Sequence, residues 1–166
     1  MRWLVDGYNV IRHDPDLSNR ERESLQAGRE ALCRLLSTIA RRSGDGFTVI
    51  FDGDRGGGSM GGGQGVRVIF SSARERADEL LARLATRGLA VVSNDREVRR
   101  AAARAGALAI TADQFLARLH SHGPAPAPDK GEDDALPARP KKGNPRRLPR
   151  KVRQAERALR HLDRNP

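Results

Sequence analysis

The chain has 166 residues, room for one ordinary domain and an appendage, and only 37% are hydrophobic and 4% aromatic, so part of it is expected to lie outside any core. A formal net charge of +10 points to polyanionic partners, of which RNA and DNA are the commonest. The absence of any apolar window of about 18 residues argues against a membrane span, the few apolar residues before Asp6 are too few for a signal peptide, and the single cysteine, Cys33, excludes an internal disulfide, which together suit a reducing cytoplasm.

Residues 2–5 read as a short apolar strand that ends abruptly at Asp6. Leu17 to Arg42 reads as one helix, with Ser18 and Glu21 as a capping box and Leu25, Leu32, Leu35, Leu36 and Ile39 at helical spacing. Phe47–Phe51 is a second strand, ending in Asp52. A glycine-rich stretch follows, read as a flap or a tolerated insertion; without a following Gly-Lys-Ser/Thr it is no phosphate-binding P-loop. Val66–Phe70 is a third strand. Ser72 and Glu75 form a second capping box, opening a helix whose second turn carries Asp78 and Glu79. Leu89–Val92 is a fourth strand and ends in Ser93-Asn94-Asp95. An Arg/Ala-rich helix runs to about Ala105, Ala107–Ile110 is a fifth strand, and Thr111 and Gln114 cap a last short helix.

Short, largely apolar strands separated by helices predict an α/β fold, with a mostly parallel sheet covered on both faces. Ligands in such sheets bind beyond the carboxyl ends of the strands, where strand order reverses. Asp6, Asp52 and Asp95 all occupy that class of position. Each also has a bland reading as a turn or N-cap residue.

The set VDGYNVI, VIFDGD, RADEL, VVSNDREV and ITADQFLARL resembles the NYN domain ribonucleases, in particular the YacP-like branch of the PIN-like nuclease fold. The resemblance covers roughly residues 2–119. It implies a three-layer fold around a five-stranded sheet with strand order 3-2-1-4-5, putting Asp6 and Asp95 on either side of the switch point. It also implies that Asp6, Asn9, Asp78 and Asp95 are catalytic, with Asp6, Asp78 and Asp95 holding Mg²⁺ or Mn²⁺. Some related NYN nucleases carry a further acid four residues after the SND aspartate, where this chain has Arg99.

The chemistry suits these residues. A divalent ion lowers the pKa of bound water and neutralises charge on the phosphate, and Mg²⁺ accepts one or two carboxylates and keeps several waters. Asn9 adds no charge, but its amide both donates and accepts. Asp52, Ser93 and Asn94 are read as supporting residues. Glu79 is read first as a solvated helix acid and second as a support. Tyr8 is read as packing at the strand end, with base stacking as the rival.

After Leu119 the composition changes. Residues 1–120 form the domain, with 19 arginines against 15 acids. Residues 121–149 read as a disordered Pro-rich and charged linker, and residues 150–166 as a basic helical tail with Val152, Ala155, Leu159 and Leu162 on one side. Arg146, Arg147, Arg150, Lys151, Arg153 and Arg157 are the expected RNA-phosphate contacts. The chain is therefore expected to be a cytoplasmic metal-dependent endoribonuclease acting on RNA, with structured RNA or a ribonucleoprotein particle as a docking partner for the tail and no membrane. The rivals are a catalytically weak RNA-binding module and a nuclease acting on DNA.

Overall fold

The computed structural model describes residues 1–53, 58–72, 75–120 and 150–162. The expected linker, with Arg146 and Arg147, lies outside them. In chain order the elements begin with β1 (Arg2–Asp6), α1 (Gly7–His13), α2 (Pro15–Glu23), α3 (Leu25–Ser43) and β2 (Gly46–Phe51). They continue with β3 (Gly58–Gly61), β4 (Val66–Phe70), α4 (Ala77–Leu84) and β5 (Leu89–Val92). The last are α5 (Arg96–Arg104), β6 (Leu108–Ile110), α6 (Ala112–His120) and α7 (Arg150–His161).

The sheet order is β3-β4-β2-β1-β5-β6. Its five parallel strands follow the expected order, with β1 paired to both β2 and β5. The strands lack alternation because both faces are buried. Trp3, Val5, Phe47, Val49, Phe51 and Val92 enter one core, which also takes Leu32, Leu36 and Phe115 from α3 and α6. Leu4, Ile50 and Val91 enter the other, with Leu80 and Leu81 of α4 and Val98 of α5. Cys33 is buried, as its apolar neighbours implied.

Several local expectations need correction. The helix expected over Leu17–Arg42 is two helices. Ser24 is extended (φ −165°, ψ 152°), and its hydroxyl accepts the Ala27 N–H at 3.0 Å, starting α3 afresh. The preceding start is set by Asp14, whose carboxylate accepts the Leu17 N–H at 2.9 Å, with Pro15 in the first turn. Ser18 and Glu21 therefore lie inside α2, and Glu21 lies 3.6 Å from Arg12. Helix α1, directly after β1, was not foreseen. Nor was β3, which pairs antiparallel with β4 from within the glycine-rich stretch. Ser72 and Glu75 form a two-residue bridge, not a cap; α4 starts at Ala77, so Asp78 and Glu79 sit in its first turn. The Thr111–Gln114 cap forms as expected, each backbone N–H donating to the other's side chain.

The tail helix is built into the domain. Ala158 and Leu162 are buried in the larger core, whereas Val152 is exposed. His161 lies 3.0 Å from Asp45, a buried aspartate just before β2 that also accepts from the Trp3 indole at 3.0 Å. Asp45, Leu89 and Leu108 all stand at or before the starts of strands, so α7 lies along the amino-end edge of the sheet. Leu162→Ala is expected to lower the unfolding free energy by about 2 kcal/mol in urea denaturation; a loss below about 0.5 kcal/mol would show that α7 does not contribute to the core.

Candidate active site

At the opposite, carboxyl-end edge, four elements deliver acids. Asp6 ends β1 and is the N-cap of α1; it is only 9% exposed. One of its oxygens accepts the Asn9 N–H at 3.2 Å, and the other accepts the Ser93 hydroxyl at 2.8 Å. Ser93, fully buried at the end of β5, also accepts the Asp95 N–H at 3.1 Å. One hydroxyl thus joins the ends of the two strands that flank the switch point. Asn9 adds a second link, its side-chain oxygen accepting the Asn94 N–H at 2.9 Å. Asn94 ties this edge to α6: its oxygen accepts the Ala112 N–H and its nitrogen donates to Asp113, both at 2.9 Å.

Asp95 caps α5 through one oxygen, which accepts from Glu97 N–H (2.6 Å) and Val98 N–H (3.2 Å). The bland reading of Asp95 therefore holds, and no described group bonds to its second oxygen. Asp52 ends β2 and accepts from the Ser71 hydroxyl at 3.1 Å and from the Ala77 N–H at 3.0 Å, so it caps α4 from across the edge. That cap sets where Asp78 stands. Asp78 is half-buried and makes no hydrogen bond among the described residues. Glu79 is exposed and accepts the Arg76 N–H at 3.3 Å, which is helix capping.

Gly7 is required by close approach. A Cβ there would fall 2.2 Å from the ring of Phe51, which is fully buried. Tyr8 packs edge-on against the same ring, with centroids 5.1 Å apart, and its hydroxyl accepts from Arg29 Nε at 2.8 Å. Its packing reading holds.

The electrostatics bind the four acids into one cluster. Burial raises the pKa of Asp6 above its ordinary value; the bonds from Ser93 and Asn9 pull it back, and the charges of Asp78 and Asp52 push it up again. Asp78 is raised by desolvation and by Asp95, opposed by Arg76, and raised further by Asp52 and Glu79. Asp6, Asp52, Asp78 and Asp95 are thus near enough to repel. Among the described residues, however, no three of His, Cys, Asp or Glu close into a ligand cage. The expected set Asp6, Asp78 and Asp95 is gathered at one edge but not closed around a point. Arg99, on α5, is half-buried, and its Nε is buried without a partner.

Sequence reasoning gave no role to Ser71, Asp113 or Arg76. Ser71 directly follows a strand, as Asp52 does, and Asp113 lies within the quoted ITADQF, so both carried a weak positional signal. Of the expected RNA contacts, Arg150, Arg153 and Arg157 are exposed on α7, which also includes Lys151. These stand at the far edge from the acids. Two histidines face buried aspartates: His161 faces Asp45, and His120 Nε2 lies 2.6 Å from Asp14.

Comparison with known proteins follows the same outline. The model of the YacP-like NYN domain matches residues 3–156 and so reaches past Leu119 into α7. A crystal structure of a point mutant of Rae1 (YacP) from Bacillus subtilis is similar at 27% identity, covering 73% of this chain and 75% of that one, with a TM-score of 0.61. A second Rae1 (YacP) crystal structure from Bacillus subtilis shares the fold at 22% identity, covering 98% of this chain and 81% of that one, with a TM-score of 0.56. No curated protein matches significantly.

Two variants check the local account. Asn9→Ala leaves the half-buried Asn94 amide without its acceptor and is expected to cost about 1–3 kcal/mol in urea unfolding. Because the folded protein holds the Asp78 proton more tightly than the unfolded chain does, ionising Asp78 weakens the fold as pH rises through its folded value. In metal-free buffer, Asp78→Asn is therefore expected to raise the melting temperature at pH 7. The gain should vanish below the ordinary carboxylate value of 3.8, where both forms are neutral.

Proposed function

Because the chain belongs to the YacP-like NYN domain family, whose fold is that of the PIN-like nucleases, we propose that it is a divalent-metal-dependent endoribonuclease. The observation that carries this reading is the group of four carboxylates at the carboxyl edge, beside the switch point, in which Asp78 feels the charges of Asp52 and Asp95 and Asp6 those of Asp52 and Asp78. Burial and neighbouring charge leave Asp6 and Asp78 resisting ionisation. A hard cation relieves that strain directly, because it favours the charged form of each.

The donor chemistry fits Mg²⁺ or Mn²⁺. Asp6 and Asp78 would hold such an ion, with Asp95 beside them as a further ligand or water-orienting group. The lack of a closed cage suits a hydrated ion held by one or two carboxylates. When bound, the ion supplies a nucleophilic water at neutral pH and neutralises phosphate charge. The protein's part is positioning. Ser93 fixes Asp6 by donating to one oxygen, while the Asn9 N–H holds the other. The Asn9 oxygen is committed to the Asn94 backbone, so only its amide hydrogens remain for a phosphate oxygen. The α7 arginines bind RNA phosphates without reading sequence, and this contribution falls with salt. Docking on a ribonucleoprotein particle is part of the same proposal.

A second reading, an RNA-binding module of weak activity, is favoured by Arg99 and by the dominant basic tail. Incubation with mixed RNA and Mn²⁺ or Mg²⁺ separates the two. Wild type is expected to cleave, and Asp6→Asn and Asp95→Asn are each expected to lose about a hundredfold in rate while still binding RNA. Binding without cleavage under either metal would sink the enzyme. Preferential cutting of a matched DNA would overturn the choice of substrate.

A further inference from the structure

We propose that the groove between α7 and the amino-end edge of the sheet is a second, non-catalytic site that holds the phosphate backbone of a structured RNA. The inference rests on the RNA reading above, but it stands on a different part of the molecule. The groove has a cavity of about 850 Å³, and its polar walls are Arg87, Arg150, Gln154, Arg157 and His161. Among the described residues no carboxylate lines it; Glu156, the one acid of α7, is absent from the walls.

Arg87, Arg150 and Arg157 are exposed, and among the described residues none pairs with an acid or donates a hydrogen bond. Other arginines of the domain are engaged: Arg20, Arg34, Arg83 and Arg100 each face a nearby glutamate. Three unpaired guanidinium groups around one acid-free groove suit an anionic backbone, since each fork of N–H donors matches a phosphate. The groove is also held in shape. Ala158 and Leu162 anchor α7 in the core and His161 faces Asp45, so the arginines of α7 stand on a fixed helix.

The position gives the site its meaning. Its walls include Leu89 and Leu108, the first residues of β5 and β6, whereas Asp6, Asp52 and Asp95 stand at or just after the last residues of β1, β2 and β5. A strand of five residues such as β1 spans about 17 Å. A phosphate seated in the groove is therefore not the one at the acidic cluster. The occupant must reach round the edge of the domain, which favours a large, folded RNA over a short single strand.

The test uses the full chain carrying Asp6→Asn, so that RNA survives whether or not the wild type cleaves. Fluorescence anisotropy with a 30-nucleotide stem-loop would be read across a salt series. Arg87→Glu and Arg157→Glu are each expected to weaken binding about tenfold and to lower the salt slope by about 1. Arg22→Glu, the same charge reversal on the exposed face of α2, is expected to change affinity less than about twofold. Arg87→Gln, which cannot add repulsion, should give an intermediate loss. If Arg87→Glu and Arg157→Glu weaken binding no more than Arg22→Glu, only net charge matters and the site is overturned. Failure of the wild type to cleave would sink the nuclease reading alone.

Discussion

The hydrogen bond from the Ser93 hydroxyl to Asp6, at 2.8 Å across 87 residues of sequence, is the contact on which the acidic edge depends. It closes the gap between β1 and β5, where the winding of the sheet changes direction. The same hydroxyl accepts the Asp95 N–H and so sets the first turn of α5. Two short strands, two helix starts and two of the four acids are placed by one buried oxygen. Neither a longer side chain nor an apolar one could do this, because the oxygen must donate and accept at once.

Around that bond, opposing terms are of similar size. Parallel pairing brings the strand ends together, and burial then makes charge expensive there. The fold answers with N–H donors from α1, α4 and α5, which point at Asp6, Asp52 and Asp95. For Asp6 those donors do not win, and Asp78 has none among the described residues. The carboxyl edge is left with unrelieved negative charge, while at the amino edge Arg87, Arg150 and Arg157 carry positive charge unpaired among the described residues. The two edges thus differ in the sign of the charge they carry, acidic at the first and basic at the second.

Much of this was legible in the sequence. Strands buried on both faces must read as unbroken apolar runs, so Trp3–Val5, Phe47–Phe51 and Leu89–Val92 stood out. The acids stood out because each ended such a run. Other features were not local. Ser18 and Ser24 are equally good caps, and the choice falls to Ser24 because α2 folds back on α3 so closely that a Cβ on Gly28 would lie 3.0 Å from the Glu21 backbone. Gly58–Gly61 has no strand propensity; it pairs because the edge of β4 offers unpaired backbone groups. The burial of Ala158 depends on where α7 docks, which its own pattern does not state. In the site, Asp113 and Ser71 act on backbone and side chains brought from distant elements, and the openness of the acid cluster is a matter of angstroms that spacing does not encode.

The central claim is that Asp6 and Asp78 resist ionisation until a divalent cation joins them. Carboxyl-carbon NMR titration of the two residues, with and without Mg²⁺, measures this directly. The account predicts that both titrate above the ordinary carboxylate value of 3.8 in the metal-free protein and that both fall when Mg²⁺ is added. Ordinary values that do not respond to Mg²⁺ would contradict it.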